Sequence, residues 1–328
     1  MDMIALGGTP ITVSKLSLGT WAFSGAKIWG HNDEKDSIRT INLALDHGIN
    51  LIDTAERYGN GLAEEILGKS IKGRRQEAVV ATKVYADCLR YDEIIAACEG
   101  SLKRMDTDYI DIYQIHWPNH EVPFEESFRA FEKLKQEGKI RCVSVCNFGC
   151  RDIAEAAGFQ VVMNQLPYSL VWRVIEKEIA PATIAAGVPI WAYVPLGQGL
   201  LSGKYRCIDD VPMGRRETRL YNSAWQQGKH TDPGFEDEVF AYINDLSKLC
   251  AEEGCEMSAI ALAFLKRNSN VASILMGARN EQQLLQNIRA YGTSIPDEIV
   301  DKAVLLSEKL KEAEGFNADL WISGGRMR

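Results

Sequence analysis

Eight times along this chain a short apolar run is followed by a stretch with helical spacing, and that alternation limits the fold more than any other feature. The strand-like runs lie near 16–22, 50–54, 78–84, 109–116, 140–148, 161–168, 188–196 and 272–277. Helical stretches follow near 34–47, 63–71, 91–104, 124–137, 151–157, 176–186, 235–253 and 281–290. The strands are nearly all apolar rather than alternating, which indicates a parallel sheet buried on both faces. Eight such units predict an α/β protein with a (β/α)8 TIM barrel, whose site is built at the C-terminal ends of the strands. Three segments fall outside the repeat. The opening IALGGTPITVSKLSL, with its GG turn, predicts an N-terminal hairpin. Residues 203–234 predict a long functional or mobile loop after the seventh strand. Residues 296–314 predict an extra C-terminal amphipathic helix. No linker divides the sequence, so residues 1–328 read as one domain.

Three successive runs, INLIDTAERYG, EAVVATKV and DYIDIYQIHWP, place Asp53 and Tyr58, Lys83, and His116 at or just after their ends. Taken singly, each has an ordinary role. Asp53 caps a turn, Lys83 sits at a barrel rim, His116 is a core histidine and Tyr58 packs. Taken together, they fall on one face of adjacent strands. A lysine beside a tyrosine is expected to stabilise phenolate and lower the phenol pKa from about 10, with an aspartate holding the lysine. A neutral histidine can orient a carbonyl oxygen. Tyr58 can then protonate that oxygen as it gains charge.

Composition narrows the partners. With 37 basic and 45 acidic residues the net charge is −8, a poor match to nucleic-acid binding. The N-terminus lacks a signal-peptide pattern, and no apolar run is long enough to span a membrane. Eight cysteines without CxxC or zinc spacing argue for reduced thiols, a cytoplasmic protein and no metal site. LGKS at 67–70 lacks the earlier glycine of a phosphate loop, having Ala63 there. GQGLLSGKY has GxGxxxG spacing, one residue off the dinucleotide fingerprint. Neither indicates a nucleotide-binding Rossmann unit.

The longer blocks resemble the aldo-keto reductase family. DTAERYGNG resembles its DTAxxYG motif, and DYIDIYQIHWP, GKIRCVSVCNF, MNQLPYSL, WAYVPLGQGLLSGKY and SILMGARNEQQLLQN are similar to later family blocks, in order along the chain. The resemblance implies a barrel that binds NADP(H), or NAD(H), without a Rossmann fold, and a catalytic tetrad of Asp53, Tyr58, Lys83 and His116. It implies that Thr20, Trp21 and Asp53 lie near the nicotinamide, that Asn147 and Gln165 hold its carboxamide, and that Tyr193 stacks on its ring. Val194, Pro195, Leu196, Gln198 and Lys204 would follow the pyrophosphate, and Gly277, Arg279, Gln283 and Asn287 the adenosine end. Physically, 277–283 is a strand-to-helix turn whose amides favour phosphate, and Arg279 can fork onto a 2′-phosphate.

Two positions depart from the family pattern. Cys146 stands where a serine is usual, a weaker hydrogen-bond partner that implies looser carboxamide binding or a thiol-sensitive site. Gln286 stands where many relatives have glutamate facing the adenine. Trp21, Trp29, Tyr85, His116, Trp117 and Trp172 are the candidate substrate-pocket residues. Arg206, Arg215, Arg216 and Arg219 read as a solvated basic loop, or as a surface for an acidic substrate. The blocks resemble the bacterial-type, potassium-channel-β-like branch more than the aldose-reductase branch. The function this implies is carbonyl reduction, or alcohol or sugar oxidation in reverse. A nicotinamide-binding regulatory subunit is the alternative.

Overall fold

The computed structural model describes residues 1–25, 28–30, 32–225 and 229–328. Strands β1 (Met3–Ala5) and β2 (Thr12–Ser14) pair antiparallel as the expected hairpin. Eight parallel strands then close a barrel: β3 (Leu16–Gly19), β4 (Leu51–Asp53), β5 (Val79–Val84), β6 (Ile110–Ile115), β7 (Ile140–Cys146), β8 (Val161–Pro167), β9 (Ile190–Tyr193) and β10 (Val271–Gly277). They run in chain order around the ring, and β10 pairs with both β9 and β3. Closure leaves no free edge in the eight-stranded sheet.

The barrel is filled rather than hollow, as a ring of this size requires. Leu6, Ile11 and Val13 of the hairpin pack onto Leu51, Val79, Ile112, Met163 and Trp191 inside the barrel, so the hairpin plugs its N-terminal end. Ser14 and Asn50 lock the plug to the start of β4: Ser14 N–H donates to Asn50 Oδ1 at 2.8 Å, and Asn50 N–H to Ser14 Oγ at 3.1 Å. The Trp191 indole N–H donates to Ser17 Oγ at 2.8 Å, which satisfies a polar group in an otherwise apolar layer.

Outside the strands lie α1 (Glu34–Asp46), α2 (Leu62–Ser70), α3 (Tyr91–Met105), α4 (Phe124–Gln136), α5 (Cys150–Glu155), α6 (Ile179–Ala185), α7 (Glu236–Glu253), α8 (Met257–Lys266) and α9 (Glu281–Gly292). Here the structure corrects the sequence reading. The stretch at 235–253 is not the seventh barrel helix; α7 packs on the C-terminal helices, while α8 covers β10. The sequence of α8, MSAIALAFLK, is buried on nearly every side and so shows no amphipathic period. The C-terminal helix is two helices, α10 (Asp297–Leu306) and α11 (Glu308–Ala313), interrupted at Ser307.

The long loop is also more built than a solvated segment. Arg216 and Arg219 are buried. Arg216 donates to the Val211 and Ile208 carbonyls, and Arg219 to Asp232 and to the Asn317 and Asp319 carbonyls. Arg216 thus holds the loop to itself, and Arg219 braces it against the C-terminal tail. Residues 226–228 of the loop lie outside the described residues.

Candidate active site

Asp53 ends β4, Lys83 lies in β5, and His116 follows β6, so the barrel register brings all three to one mouth. Lys83 Nζ sits 2.7 Å from both Asp53 oxygens and 2.8 Å from the Thr54 carbonyl. Both side chains are buried. A buried pair of this kind is tolerable only when its remaining hydrogen-bonding capacity is met. Asp53 Oδ1 also accepts the Gln165 amide at 3.1 Å and the Gln114 amide at 3.3 Å. Gln114 is a partner that sequence reasoning did not single out, because it sits inside the apolar run YQIH.

Tyr58 OH lies 3.5 Å from Lys83 Nζ. Its ring meets His116 edge-on at 5.9 Å between centroids, and Trp21 stacks on its other side at 6.1 Å. The expected direction of the phenol pKa is corrected here. Burial pushes the Tyr58 phenol well above its ordinary value, and the Asp53 carboxylate and then Cys146 push the same way. The Lys83 charge is neutralised by Asp53 at contact distance and does not offset the lost hydration. His116 is driven well below its ordinary value by burial, then by Lys83, Arg326 and Arg57, so its ring is neutral at pH 7. Among the described residues its Nδ1 is buried without a partner.

Beside the tetrad, Asn147, Gln165 and Tyr193 form one hydrogen-bonded cluster across the ends of β7, β8 and β9. Tyr193 OH donates to Asn147 Oδ1 at 2.9 Å. The Asn147 amide nitrogen donates to the His116 carbonyl at 3.1 Å and to Cys146 Sγ at 3.1 Å. Cys146 in turn donates to Gln165 Oε1 at 3.5 Å. The thiol is buried, and burial raises its pKa strongly. It is therefore a protonated linker between two amides, which removes the physical basis for thiol sensitivity. Thr20, at the end of β3, is buried with its hydroxyl unpartnered among the described residues.

Strain marks the same end of the barrel. Asn147, Val194 and Gln198 have φ of +61°, +51° and +54°, values that cost a β-branched residue such as valine about 1–3 kcal/mol. The turn running Val194, Pro195, Leu196 is closed by Gly197 N–H donating to Val194 O at 2.9 Å. At Gly199, φ is +103° and an added Cβ would lie 2.9 Å from Lys204 Nζ, so glycine lets that lysine fold over the turn.

These residues fit a dinucleotide phosphate. Lys204, Arg215 and Arg279 gather there: burial and then the charges of Arg215 and Arg279 lower the Lys204 pKa. Three converging cations suit a polyanion. Arg215, read from sequence as a loop arginine, joins this cluster and also lies 5.1 Å over the Trp29 ring. The Gln198 amide nitrogen is buried and unpartnered among the described residues. At the start of α9, Asn280 caps Gln283 N–H at 2.9 Å, Gln283 Oε1 accepts Arg279 N–H at 3.0 Å, and Asn287 donates to the Gly277 carbonyl at 3.1 Å. Gln286 is exposed on α9.

Trp21, Trp29 and Tyr85 stand around the tetrad, with Trp29 edge-on to Trp21 at 5.3 Å and Tyr85 edge-on to His116 at 5.6 Å. Trp117 is buried beneath the guanidinium of Arg326, 3.3 Å from its ring centroid. Trp172 is not brought to this group. It is 1% exposed, and its indole N–H donates to the Ala318 carbonyl at 3.3 Å. The sequence reading missed the C-terminal tail, which crosses the mouth. Trp321 packs edge-on against Trp21 at 5.6 Å, and its indole N–H lies 3.4 Å from Tyr193 OH. The tail then reaches the start of α5, where Asp152 binds Arg328 N–H at 2.8 Å and His120 Nε2 at 2.7 Å. An added Cβ at Gly149 would lie 2.4 Å from Arg328 O. The only sequence signal for this strap is its composition, FNADLWISGGRMR.

The family model described as the Aldo/keto reductase family matches residues 15–305. The aldo-keto reductase YhdN of Bacillus subtilis is 36% identical over 87% of this chain and 87% of its own. The NADH-specific methylglyoxal reductase of Escherichia coli is 34% identical over 90% of this chain and 95% of its own. A crystal structure of an aldo-keto reductase from Klebsiella pneumoniae in complex with NADPH superposes with a TM-score of 0.71, at 27% identity, over 90% of this chain and 92% of that one. No helix among the described residues is long and apolar enough to cross a membrane. The chain belongs to the aldo/keto reductase family and is an NAD(P)-dependent oxidoreductase of carbonyl and alcohol substrates.

Proposed function

We propose that Tyr58 is the general acid for reduction of small aldehydes and ketones, and the base when the reaction runs toward alcohol or sugar oxidation. The observation that carries this reading is the buried Asp53–Lys83 pair, which holds an ammonium 3.5 Å from the Tyr58 hydroxyl. Because burial raises the phenol pKa, Tyr58 keeps its proton at neutral pH and is ready to donate. As the carbonyl oxygen gains negative charge, that proton meets a base strong enough to take it, and Lys83 stabilises the phenolate left behind. Neutral His116 orients the same oxygen through a ring N–H. General-acid help of this kind is worth about 10²–10⁴ in rate.

The bound nicotinamide cofactor supplies or accepts the hydride. In this reading Thr20, Trp21, Asn147, Gln165 and Tyr193 position its ring, with Asp53 and Cys146 behind them. Val194, Pro195, Leu196, Gln198 and Lys204, joined by Arg215, follow the phosphates. Gly277, Arg279, Gln283, Gln286 and Asn287 hold the adenosine end, where Arg279 favours the 2′-phosphate of NADP(H) over NAD(H). Trp21, Trp29, Tyr85 and Trp117 line the substrate side. The eight cysteines are all free, which supports a reducing, cytoplasmic setting.

The test is a panel of aldehydes, ketones and sugars with NADPH and NADH, followed at the nicotinamide absorbance, for wild type and Tyr58→Phe. The variant should lose about 10²–10⁴ in kcat and still bind NADPH by fluorescence titration. Equal turnover in the two proteins would remove Tyr58 from the acid role. Tight cofactor binding with no turnover in wild type would instead favour a regulatory subunit.

A further inference from the structure

The turn between α7 and α8 carries two cysteines five residues apart, Cys250 and Cys255. Helix α7 ends at Glu253, and Gly254 follows with a φ of +64°, the left-handed conformation that stops a helix without a Cβ penalty. The chain then folds back on the last helical turn. Cys255 N–H donates to the Cys250 carbonyl at 3.1 Å, and Gly254 N–H shares that acceptor. In a helix stop of this form the residue after the glycine rests against the residue one turn back, usually through an apolar contact. Here two thiols make that contact. The Cys250 thiol donates a hydrogen bond to Cys255 Sγ, and both side chains pack against the core.

Cys98, Cys142 and Cys146 are buried, away from a dissolved oxidant, and Cys207 is exposed. Cys250 and Cys255 are half-buried, so solvent reaches a pair whose sulfurs already face one another. Proximity of that kind is what a disulfide requires of its two residues before it can close without moving the backbone. The hydrogen bond also assigns roles. Burial raises both thiols, Cys250 up to about 12, while the bond from Cys250 opposes the rise at Cys255. Cys255 is therefore the readier of the two to ionise and attack.

We propose that Cys250 and Cys255 form a redox dithiol that closes to an intramolecular disulfide when the protein meets hydrogen peroxide. The Cys255 thiolate attacks one peroxide oxygen, the O–O bond breaks, and the other oxygen leaves as water once protonated, with Cys255 now a sulfenic acid. The Cys250 sulfur then displaces that hydroxyl, which leaves as a second water as the S–S bond forms. The two thiols give up two electrons and two protons, and the peroxide is reduced to two waters. The bond ties the end of α7 to the connection into α8, the helix that packs on β10 and on Gly197–Ser202. This chemistry is independent of the carbonyl site.

The experiment treats the full-length protein with hydrogen peroxide, alkylates it in denaturant, cuts it with trypsin and reads the peptide masses. Cleavage after Lys248 and Lys266 places both cysteines on one peptide, Leu249–Lys266, with no third cysteine. That peptide should escape alkylation at both cysteines and appear two hydrogen atoms lighter than its reduced form. Dithiothreitol before alkylation should restore it. Cys250→Ser should leave a sulfenic acid at Cys255 that dimedone traps, whereas Cys250 should stay reduced in Cys255→Ser. Full alkylation of both cysteines at a peroxide dose that already oxidises Cys207 would overturn the proposal and make the pair an apolar helix stop only. So would sulfinic acid at either cysteine of wild type in place of the disulfide, or a disulfide formed only between two copies of the chain.

Discussion

The two ends of the barrel are made by the same eight strands and obey opposite rules. At the N-terminal end Leu6, Ile11 and Val13 close over Leu51, Ile112 and Trp191, and the few polar groups, such as Ser17, are bonded. At the C-terminal end a buried lysine and aspartate lie under a half-buried tyrosine and histidine, Thr20 and Gln198 keep buried polar atoms without partners among the described residues, and Asn147, Val194 and Gln198 stand at positive φ. The first end lowers the energy of the fold. The second spends part of that stability to keep groups unhydrated and preorganised for a ligand. A substitution at the bottom should therefore change stability alone, and one at the top should change chemistry whether or not stability follows.

The largest effect should come from Lys83→Met. It leaves the Asp53 carboxylate buried with only two glutamine amides for company. Removing one member of a buried pair costs about 3–5 kcal/mol, and turnover should fall by at least about 10² as well. The combined Asp53→Asn, Lys83→Met protein should regain most of the stability, because the charge is gone, and stay inactive. Urea denaturation and steady-state kinetics on the three proteins separate the two losses. Recovery of activity in the double variant would break the comparison. At the other end, Trp191→Ala should cost about 3–5 kcal/mol through the cavity it leaves. Its kcat per folded molecule should remain within about a factor of three of wild type, measured well below its unfolding midpoint. A kcat loss as large as that of Lys83→Met would show that the two ends are coupled.

What could be read from the sequence follows the same division. The eight strands were legible because each is a near-continuous apolar run, and Asp53, Lys83 and His116 stand out as titratable groups at their ends. Gln114 was not, because an uncharged side chain inside YQIH resembles any core strand. Helix α8 was hidden by its own burial, since a segment apolar all round carries no period. Trp321 and Arg326 lie more than two hundred residues from the tetrad in a segment without regular structure, and only the closed ring brings Trp321 onto Trp21 and Arg326 over Trp117. The direction of the Tyr58 pKa could not be read either. Lysine and burial oppose one another there, and the extent of burial is a property of the fold.

A stability effect confined to higher pH tests how the tail is fixed. Glu314, just before the tail, is buried, with Oε2 accepting Arg173 N–H at 3.3 Å and Oε1 unpartnered among the described residues. Burial pushes its pKa up to about 8, against the opposing pull of Arg173, Lys177 and Arg219. A carboxyl whose pKa is higher in the folded state contributes stability that is fully present below its unfolded pKa, near 4.5. That contribution is lost as pH rises toward 8. Wild type should therefore lose stability across this window by up to roughly 1.4 kcal/mol per pH unit. Glu314→Gln should not, so the two proteins should match near pH 4 and separate by pH 8, with the variant the more stable. Urea midpoints at the two pH values read this directly, and parallel pH profiles would show that the buried acid does not set the stability of this end.

The smallest expected effect concerns the choice of cofactor. Arg279 is half-buried at the turn between β10 and α9, its backbone N–H fixed by Gln283, and close enough to Lys204 for the two charges to repel. That repulsion is relieved when a polyanion lies between them, and more completely when the anion carries an extra phosphate. Arg279→Ala should therefore raise KM for NADPH by about 10- to 100-fold, the range of one or two charge-assisted hydrogen bonds. KM for NADH should change by less than about threefold, and kcat with either cofactor should hold. Arg215 and Lys204 sit in the same cluster but belong to the loop after β9, so Arg215→Ala should weaken both cofactors alike. If Arg279→Ala also weakens both equally, the discrimination does not lie at this turn, and the cluster acts as a single phosphate clamp indifferent to the 2′ position.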